Sequence, residues 1–309
     1  MGTFRRDLHI PNGTLYIYDY TTPPSSPTTS SSSKLQSITL SNFDSAESFH
    51  PLGVEYDEKT STLYVVNHAF SGACIEIFSL DLATAAATHR QTIKHPLLHA
   101  PNSIHSLGEG KLYVTNDHHF HASVYPILSK IETFSGAPGG TVMYVDTRDV
   151  NNTVKIVARV PFANGIVMLN SSTLAVSSTS KPGVYFFDVS ASDYSLHLRN
   201  VVSAPASVDN LNVDSNGALL LAGHPDPFRI TQLSKKRWAC VRGSQDEKER
   251  EACGCEAPSW VGEWTQEQGL TTLSLTEGFC SSTTFARDVG RGVGIVSGLY
   301  ADGLLEVRS

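Results

Sequence analysis

No apolar run in the 309-residue chain approaches the roughly 20 residues that a helix needs to cross a bilayer, so no helical membrane span is expected. Charge of one sign is never blocked: 23 Lys and Arg are interspersed with 30 Asp and Glu. That leaves no basic surface for nucleic acid, which is excluded as a partner. Helical periodicity is nearly absent. Cysteine is scarce, with five residues. Cys74 and Cys280 sit alone in apolar surroundings and read as small buried hydrophobes. Cys240, Cys253 and Cys255 cluster in a charge-dense segment at about 235–260, read as an inserted loop. Cys253-Gly254-Cys255 lacks the paired spacing of a zinc site, and a local disulfide from Cys240 to Cys253 or Cys255 requires an oxidising compartment. Residues 1–11 include Arg5-Arg6-Asp7 but no apolar core, and do not read as a secretory signal. Localisation is therefore open. A start further upstream would permit a secreted or endomembrane protein, which the sequons at Asn12, Asn151 and Asn170 would suit.

What the chain does have is a set of Asn and Asp residues beside apolar strands. They lie in Pro101-Asn102-Ser103-Ile104, Thr115-Asn116-Asp117-His118, Phe162-Ala163-Asn164-Gly165-Ile166 and Val208-Asp209-Asn210-Leu211. Flanked by apolar residues, each polar group needs a partner. A hard cation such as calcium, which binds amide and carboxylate oxygens, is one; a backbone hydrogen bond is the other.

A phrase of two short alternating strands also recurs. It reads Leu63-Tyr64-Val65-Val66-Asn67-His68 with Ile75-Glu76-Ile77-Phe78, then Leu112-Tyr113-Val114-Thr115-Asn116 with Val142-Met143-Tyr144-Val145. It returns as Leu174-Ala175-Val176-Ser177 with Val184-Tyr185-Phe186-Phe187, as Leu219-Leu220-Leu221-Ala222, and as Val293-Gly294-Ile295-Val296 with Leu304-Leu305-Glu306-Val307. Starts at 63, 112, 174, 219 and 293 give a period of about 45 to 75 residues, the size of β-propeller blades. A β-sandwich is the competitor, but it does not explain polar residues recurring at the end of the same strand. Gly13-Thr14-Leu15-Tyr16-Ile17-Tyr18-Asp19 reads as half of one more blade. The expectation is a single all-β domain over 1–309, a six-bladed β-propeller whose first blade is incomplete at the N-terminus. A low-complexity Thr/Pro/Ser loop at 21–33 interrupts it.

In order and spacing, Pro51-Leu52-Gly53, Val65-Val66-Asn67-His68, Asn116-Asp117-His118-His119-Phe120, Phe162-Ala163-Asn164-Gly165-Ile166, Val208-Asp209-Asn210-Leu211 and Gly223-His224-Pro225 resemble the serum paraoxonase/arylesterase family. The resemblance runs from about residue 40 to 230 and implies a six-bladed, calcium-dependent esterase and lactonase. Carried onto this chain, it makes Asn102, Asn164, Asp209 and Asn210 ligands of a catalytic Ca2+. The family's further glutamate ligand has no clear match: Asp7 lies in the neighbourhood, with Arg6 where the glutamate is expected. Of the family's histidine pair, His68 matches the second, whereas Leu52 stands where the first belongs. Ser103 replaces the aspartate of a second calcium site.

The resemblance then implies hydrolysis of a small-molecule lactone or aryl ester. Calcium polarises the carbonyl, His68 serves as general base on water, and His118 orients the ring of ligands from behind. Leu52 and His224 are the substrate-side walls. Two other readings stand beside this one. One is a propeller that keeps the calcium scaffold as a binding or structural module without turnover. The other is a gluconolactonase-like or strictosidine-synthase-like propeller.

Overall fold

Short runs of alternating β-branched and aromatic residues form strands along nearly the whole chain, since such side chains suit pleated surfaces buried on both faces. A computed structural model describes residues 11–21, 34–44, 48–122 and 124–308. Asp7 and nearly all of the low-complexity tract at 21–33 lie outside the described residues. The chain divides into two compact units, one with residues up to 116 plus 142–156, the other with 117–141 and 157–308.

In the first unit, β1 (Tyr16–Tyr18) and β2 (Leu35–Ser37) form a two-stranded antiparallel sheet. The first blade comprises β3 (Thr39–Ser41), β4 (Pro51–Asp57), β5 (Thr62–Ala69), β6 (Gly72–Asp81) and β7 (Ala86–Ile93), in the order β3-β7-β6-β5-β4. Only β3, on its outer edge, runs parallel to its neighbour. The second blade is β8 (Pro101–Gly108), β9 (Lys111–Asn116), β10 (Gly140–Asp146) and β11 (Lys155–Val160) in chain order. Helix α1 (Pro126–Ser135) lies in the chain between β9 and β10, and the short α2 (Val150–Thr153) between β10 and β11.

The second unit carries three blades. The third is β12 (Ala163–Asn170), β13 (Thr173–Ser178), β14 (Gly183–Val189) and β15 (Leu196–Ser203). The fourth is β16 (Ser207–Val213) and β17 (Leu219–His224), then β18 (Ser259–Thr265) and β19 (Gly269–Thr276), with α3 (Pro227–Arg237) and α4 (Glu247–Glu251) inserted between the two pairs. The fifth has three strands, β20 (Ser282–Asp288), β21 (Val293–Gly298) and β22 (Leu305–Arg308).

The architecture is thus an all-β β-propeller, but with five blades among the described residues rather than six. The half-blade expected around Gly13–Asp19 is instead the ribbon of β1 and β2. Three residues in each strand are too few to recruit a full sheet. The recurring phrase in the sequence corresponds to the second and third strands of successive blades, which, apart from the edge strand β22, are largely buried and so read as nearly continuous apolar runs. Tyr64, Val66 and Ile75 of the first blade pack with Ile104, Leu112 and Val114 of the second. In the other unit Val167, Ala175 and Phe186 pack with Leu219, Leu221, Trp260 and Trp264, and Leu220 and Val261 with Phe285 and Val296.

The cysteine insertion is more ordered than a loop. Asp226 caps α3 by accepting from the backbone N of Phe228 and Arg229, both at 3.0 Å, Pro227 opens the helix, and Lys235, Lys236 and Arg237 close it. Cys240 is bonded to Cys253, one of the two pairings the sequence allowed. Cys280 is not the isolated hydrophobe expected: it is bonded to Cys255. The insertion reaches it because Arg237 donates to the Cys253 and Tyr300 carbonyls, tying α3 to the turn after β21. Cys74 is buried and is the cysteine outside a disulfide among the described residues.

Candidate functional site

The first strand of every blade is bulged at the same step. In β4, Pro51 faces Asn67 but Val54 faces Val65; in β8, Pro101 faces Asn116 but Ile104 faces Val114. In β12, Ala163 faces Ser178 and Ile166 faces Val176; in β16, Val208 faces Gly223 and Leu211 faces Leu221. In β20, Ser282 faces Gly298 and Thr284 faces Ser297. The bulges therefore hold Leu52-Gly53, Asn102-Ser103, Asn164-Gly165, Asp209-Asn210 and Thr283. An extra residue in one strand bends it and re-aims its side chains, a device common beside active sites. The four residues that the resemblance makes calcium ligands, Asn102, Asn164, Asp209 and Asn210, all lie in these bulges.

In three of the five bulges the residue opposite the start fixes it. Asn67 Oδ1 accepts from the backbone N of His50 at 2.8 Å, and its Nδ2 donates to Ser48 O at 3.1 Å. Asn116 repeats the pattern, accepting from Ala100 N at 3.2 Å and donating to Leu97 O at 2.8 Å. Ser178 Oγ donates to Pro161 O at 2.5 Å. For Asn116, of the four Asn and Asp segments, the backbone hydrogen bond is thus the partner.

In the second unit, β12 and β16 lie side by side because Gly165 has no side chain. A Cβ there would sit 2.6 Å from Asn210 Cα and 2.7 Å from Asp209 O. Ser177 Oγ closes the gap by donating to Asp209 O at 2.5 Å. Asn164 is buried, and its Nδ2 donates to Thr179 Oγ1 at 3.0 Å. Thr179 spends its own proton on Val208 O at 2.8 Å, which turns the amide oxygen of Asn164 away from the threonine. Asn210 Nδ2 likewise donates to Thr284 Oγ1 at 3.1 Å. Asp209 Oδ2 lies 3.2 Å from His224 Nε2. The carboxylate only accepts, so the proton sits on Nε2, and Nδ1 of His224 is a buried nitrogen with no hydrogen-bond partner among the described residues.

This part of the site offers one carboxylate and two oriented amide oxygens, the donor type that hard cations take. Among the described residues, no three His, Cys, Asp or Glu side chains converge as a metal cluster.

In the first unit, Asn102 is buried within its bulge and Leu52 is 46% exposed in the equivalent one. Gly53 keeps β4 against β8, since a Cβ would come 2.9 Å from Ser103 Cα. His68 Nε2 lies 2.7 Å from Pro101 O, next in sequence to Asn102. A carbonyl only accepts, so Nε2 carries the proton and Nδ1 is the basic nitrogen of the neutral ring. His50 is buried against the Phe70 ring at 4.9 Å between centroids.

His118 is held quite differently. Its Nδ1 is 2.9 Å from Asp117 Oδ1 and its Nε2 is 2.7 Å from Thr133 Oγ1. Thr133 gives its proton to Ser129 O at 2.9 Å, so both ring nitrogens of His118 face acceptors. Burial pushes its pKa down, but the hydrogen bond and charge of Asp117, with the charge of Glu132, outweigh it and hold the imidazole above its usual value. Two acceptors on the ring and these charges favour its protonated form. Glu132 also accepts from His119 N and Phe120 N at 2.7 and 2.9 Å, so α1 pins the segment after β9. Helix α1 is inside out: Ser129, Glu132 and Thr133 are buried, whereas Ile127, Ile131 and Phe134 are exposed. Sequence reasoning missed Thr179, Thr284 and Glu132. Nothing distinguishes the two threonines in a chain this rich in threonine, where only the cross-strand register does, and Glu132 lies on α1, whose burial pattern hides it.

The profile of the Arylesterase family matches residues 10–238, more than half of the chain, and the protein belongs to that family. Its curated relatives include serum paraoxonase/lactonase 3 of Oryctolagus cuniculus, 32% identical over 203 residues that cover 64% of this chain and 55% of the relative. Another is serum paraoxonase/arylesterase 2 of Homo sapiens, 31% identical over 194 residues, covering 61% and 52%. The chain thus spans just over half the length of these relatives. Among solved structures, a gluconolactonase of Xanthomonas campestris is similar in fold at a TM-score of 0.54, with 15% identity, 88% of this chain covered and 74% of that one.

Proposed function

We propose that the protein is a calcium-dependent hydrolase of lactones or aryl esters. The observation that carries this reading is the recurrent bulge, which presents Asn102, Asn164, Asp209 and Asn210 from the same step of three successive blades. Membership of the Arylesterase family and relatives named lactonase and arylesterase support it. In this reading Asn164, Asp209 and Asn210 of the second unit hold Ca2+, which when bound supplies a Lewis acid for the substrate carbonyl and for the oxyanion formed on attack. With only Asp209 charged among them, affinity is weak and the ion is readily removed. His68, anchored through Nε2–H to Pro101 O, takes a proton from the attacking water at Nδ1. His224 steadies Asp209 through Nε2 and walls the substrate. Leu52 is an apolar wall that can neither take nor give a proton. His118, bound through both nitrogens, positions the segment after β9.

The test is turnover of phenyl acetate and of a γ- or δ-lactone by the purified protein, with calcium, after chelation, and after calcium is restored. Hydrolysis that vanishes with chelator and returns with calcium is the expected result; no hydrolysis of either substrate class in calcium refutes it. Leu52 favours a second reading, a calcium-holding module without turnover. Calcium would then raise the unfolding temperature while both substrates stay intact.

A further inference from the structure

Cross-strand register makes the blades comparable residue by residue, and one position in the fifth blade breaks the pattern. Leu63 faces Tyr56, Leu112 faces Ser106, Leu174 faces Met168 and Leu219 faces Val213, each leucine four residues before the one that faces the start of its bulge. All four leucines are buried, between 0% and 3% exposed. The equivalent residue in β21, facing Arg287, is Gly294. Beside it lies a cavity of about 220 Å³ lined by Val261 of β18, Leu273 of β19, Phe285 of β20, Val296 of β21 and Leu305 and Val307 of β22. Phe285 recovers part of the lost volume, since a Cβ on Gly294 would stand 3.1 Å from Phe285 Cε2. The rest stays open, flanked at its mouth by Leu273 and Val307, which are 46% and 51% exposed.

Three polar side chains on the wall, Arg287, Ser259 and Thr276, have partners already. Arg287 is paired with Asp214 and Glu263. Ser259 Oγ donates to Phe279 O at 2.8 Å and accepts from Ser282 N at 2.9 Å. Thr276 Oγ1 accepts from Gly278 N at 2.9 Å. A charged ligand would find no unsatisfied counter-group in these residues, whereas an apolar one needs none. None of Asn164, Asp209, Asn210 or His224 lines the cavity.

We infer that this cavity between the fourth and fifth blades is a binding site for a small, uncharged apolar molecule. An apolar cavity of about 150 Å³ accommodates benzene, so one ring carrying a short alkyl chain is the size that fills this one. The inference is independent of the hydrolase reading.

Ethylbenzene is the probe, with the full chain and two variants followed by thermal unfolding and titration calorimetry. Gly294→Leu restores the side chain of the other blades, and Val307→Trp plugs the mouth from a half-exposed position without entering the core. The expected result is a saturable rise in the unfolding midpoint of the unaltered protein, with binding at least tenfold weaker in both variants. Should Gly294→Leu fail to fold, Val307→Trp decides alone. No rise in the unaltered protein, or an equal rise in a folded variant, overturns the inference. So does stabilisation by strand-forming peptides but not by ethylbenzene, which would assign the β22 edge to a protein partner.

Discussion

Gly165→Ala is the most searching perturbation of the site, because one methyl group is driven between two strands. Its Cβ would stand 2.6 Å from Asn210 Cα and Leu211 N, where ordinary contact begins at 3.4 Å. The atoms it meets belong to the backbone and cannot swing aside. Strands β12 and β16 must therefore part by roughly 1 Å, and overpacking of this kind costs about 1–3 kcal/mol. At roughly 2 °C per kcal/mol for a chain of this length, the unfolding midpoint falls by about 2–6 °C. Asn164 moves with β12 and Asp209 with β16, so the separation of two proposed ligands changes by a similar distance. A misplacement of about 1 Å costs on the order of 100-fold in rate where catalysis depends on geometry. Gly303→Ala is the control, since nothing lies within 4 Å of a Cβ there. Calorimetry and phenyl acetate turnover of the two variants, side by side, make the measurement. If Gly165→Ala melts with Gly303→Ala and turns over as fast, the close approach of β12 and β16 is wrong.

The raised pKa of His118 means that its interactions stabilise the fold fully below the unfolded value of about 6.5 and are lost as pH rises through the folded value. In urea unfolding from pH 5.5 to 8.5, the deficit of His118→Asn should be largest at the acid end and shrink towards the alkaline end; a flat deficit refutes this. For Asp214, burial opposes ionisation, but Arg287 overcomes it and lowers the pKa, so that stability is present above about 3.9 and lost as pH falls through the folded value. Arg287→Met should shift acid unfolding to higher pH and cost towards the low end of the about 3–5 kcal/mol typical of a broken buried pair. Thiol titration in denaturant without reductant should find one thiol, Cys74, rising to five after reduction. Leu52→His, at an exposed bulge position, should leave the melting temperature within about 1 °C and raise ester turnover tenfold or more, as a second imidazole begins to share the proton; unchanged turnover would show that this position is remote from the chemistry.

The parts legible in the sequence were those where alternation and burial agree. Strands such as β5, β9 and β13 are enclosed on both faces, and their apolar runs announce them. The strands that carry the proposed ligands are harder to read, because a bulge shifts the alternation by one residue in the middle of each. Their Asn and Asp residues were visible, but not that Leu52 and Thr283 occupy the same step. Helix α1 was hidden for another reason. It buries Glu132 and Thr133 and exposes Ile127, Ile131 and Phe134, so its pattern contradicts the rule by which helices are recognised. The sixth blade was over-read from Tyr16-Ile17-Tyr18, whose strand character is genuine but whose length supports only a ribbon. Cys280 was misjudged because its partner lies 25 residues away, beyond an insertion whose path depends on Arg237.

The residues that shape each bulge and the residue displayed by it are separable. Asn67, Asn116 and Ser178 secure the backbone from the second strand, and they do so without touching the side chain presented. A mutation can therefore swap the functional group at one blade while its scaffold stays intact, and the neighbouring blades need not compensate. Leu52, half in solvent, occupies the step at which the next blade offers an amide. A lineage built this way can lose, regain or redirect its chemistry in single steps, long before its architecture registers any change.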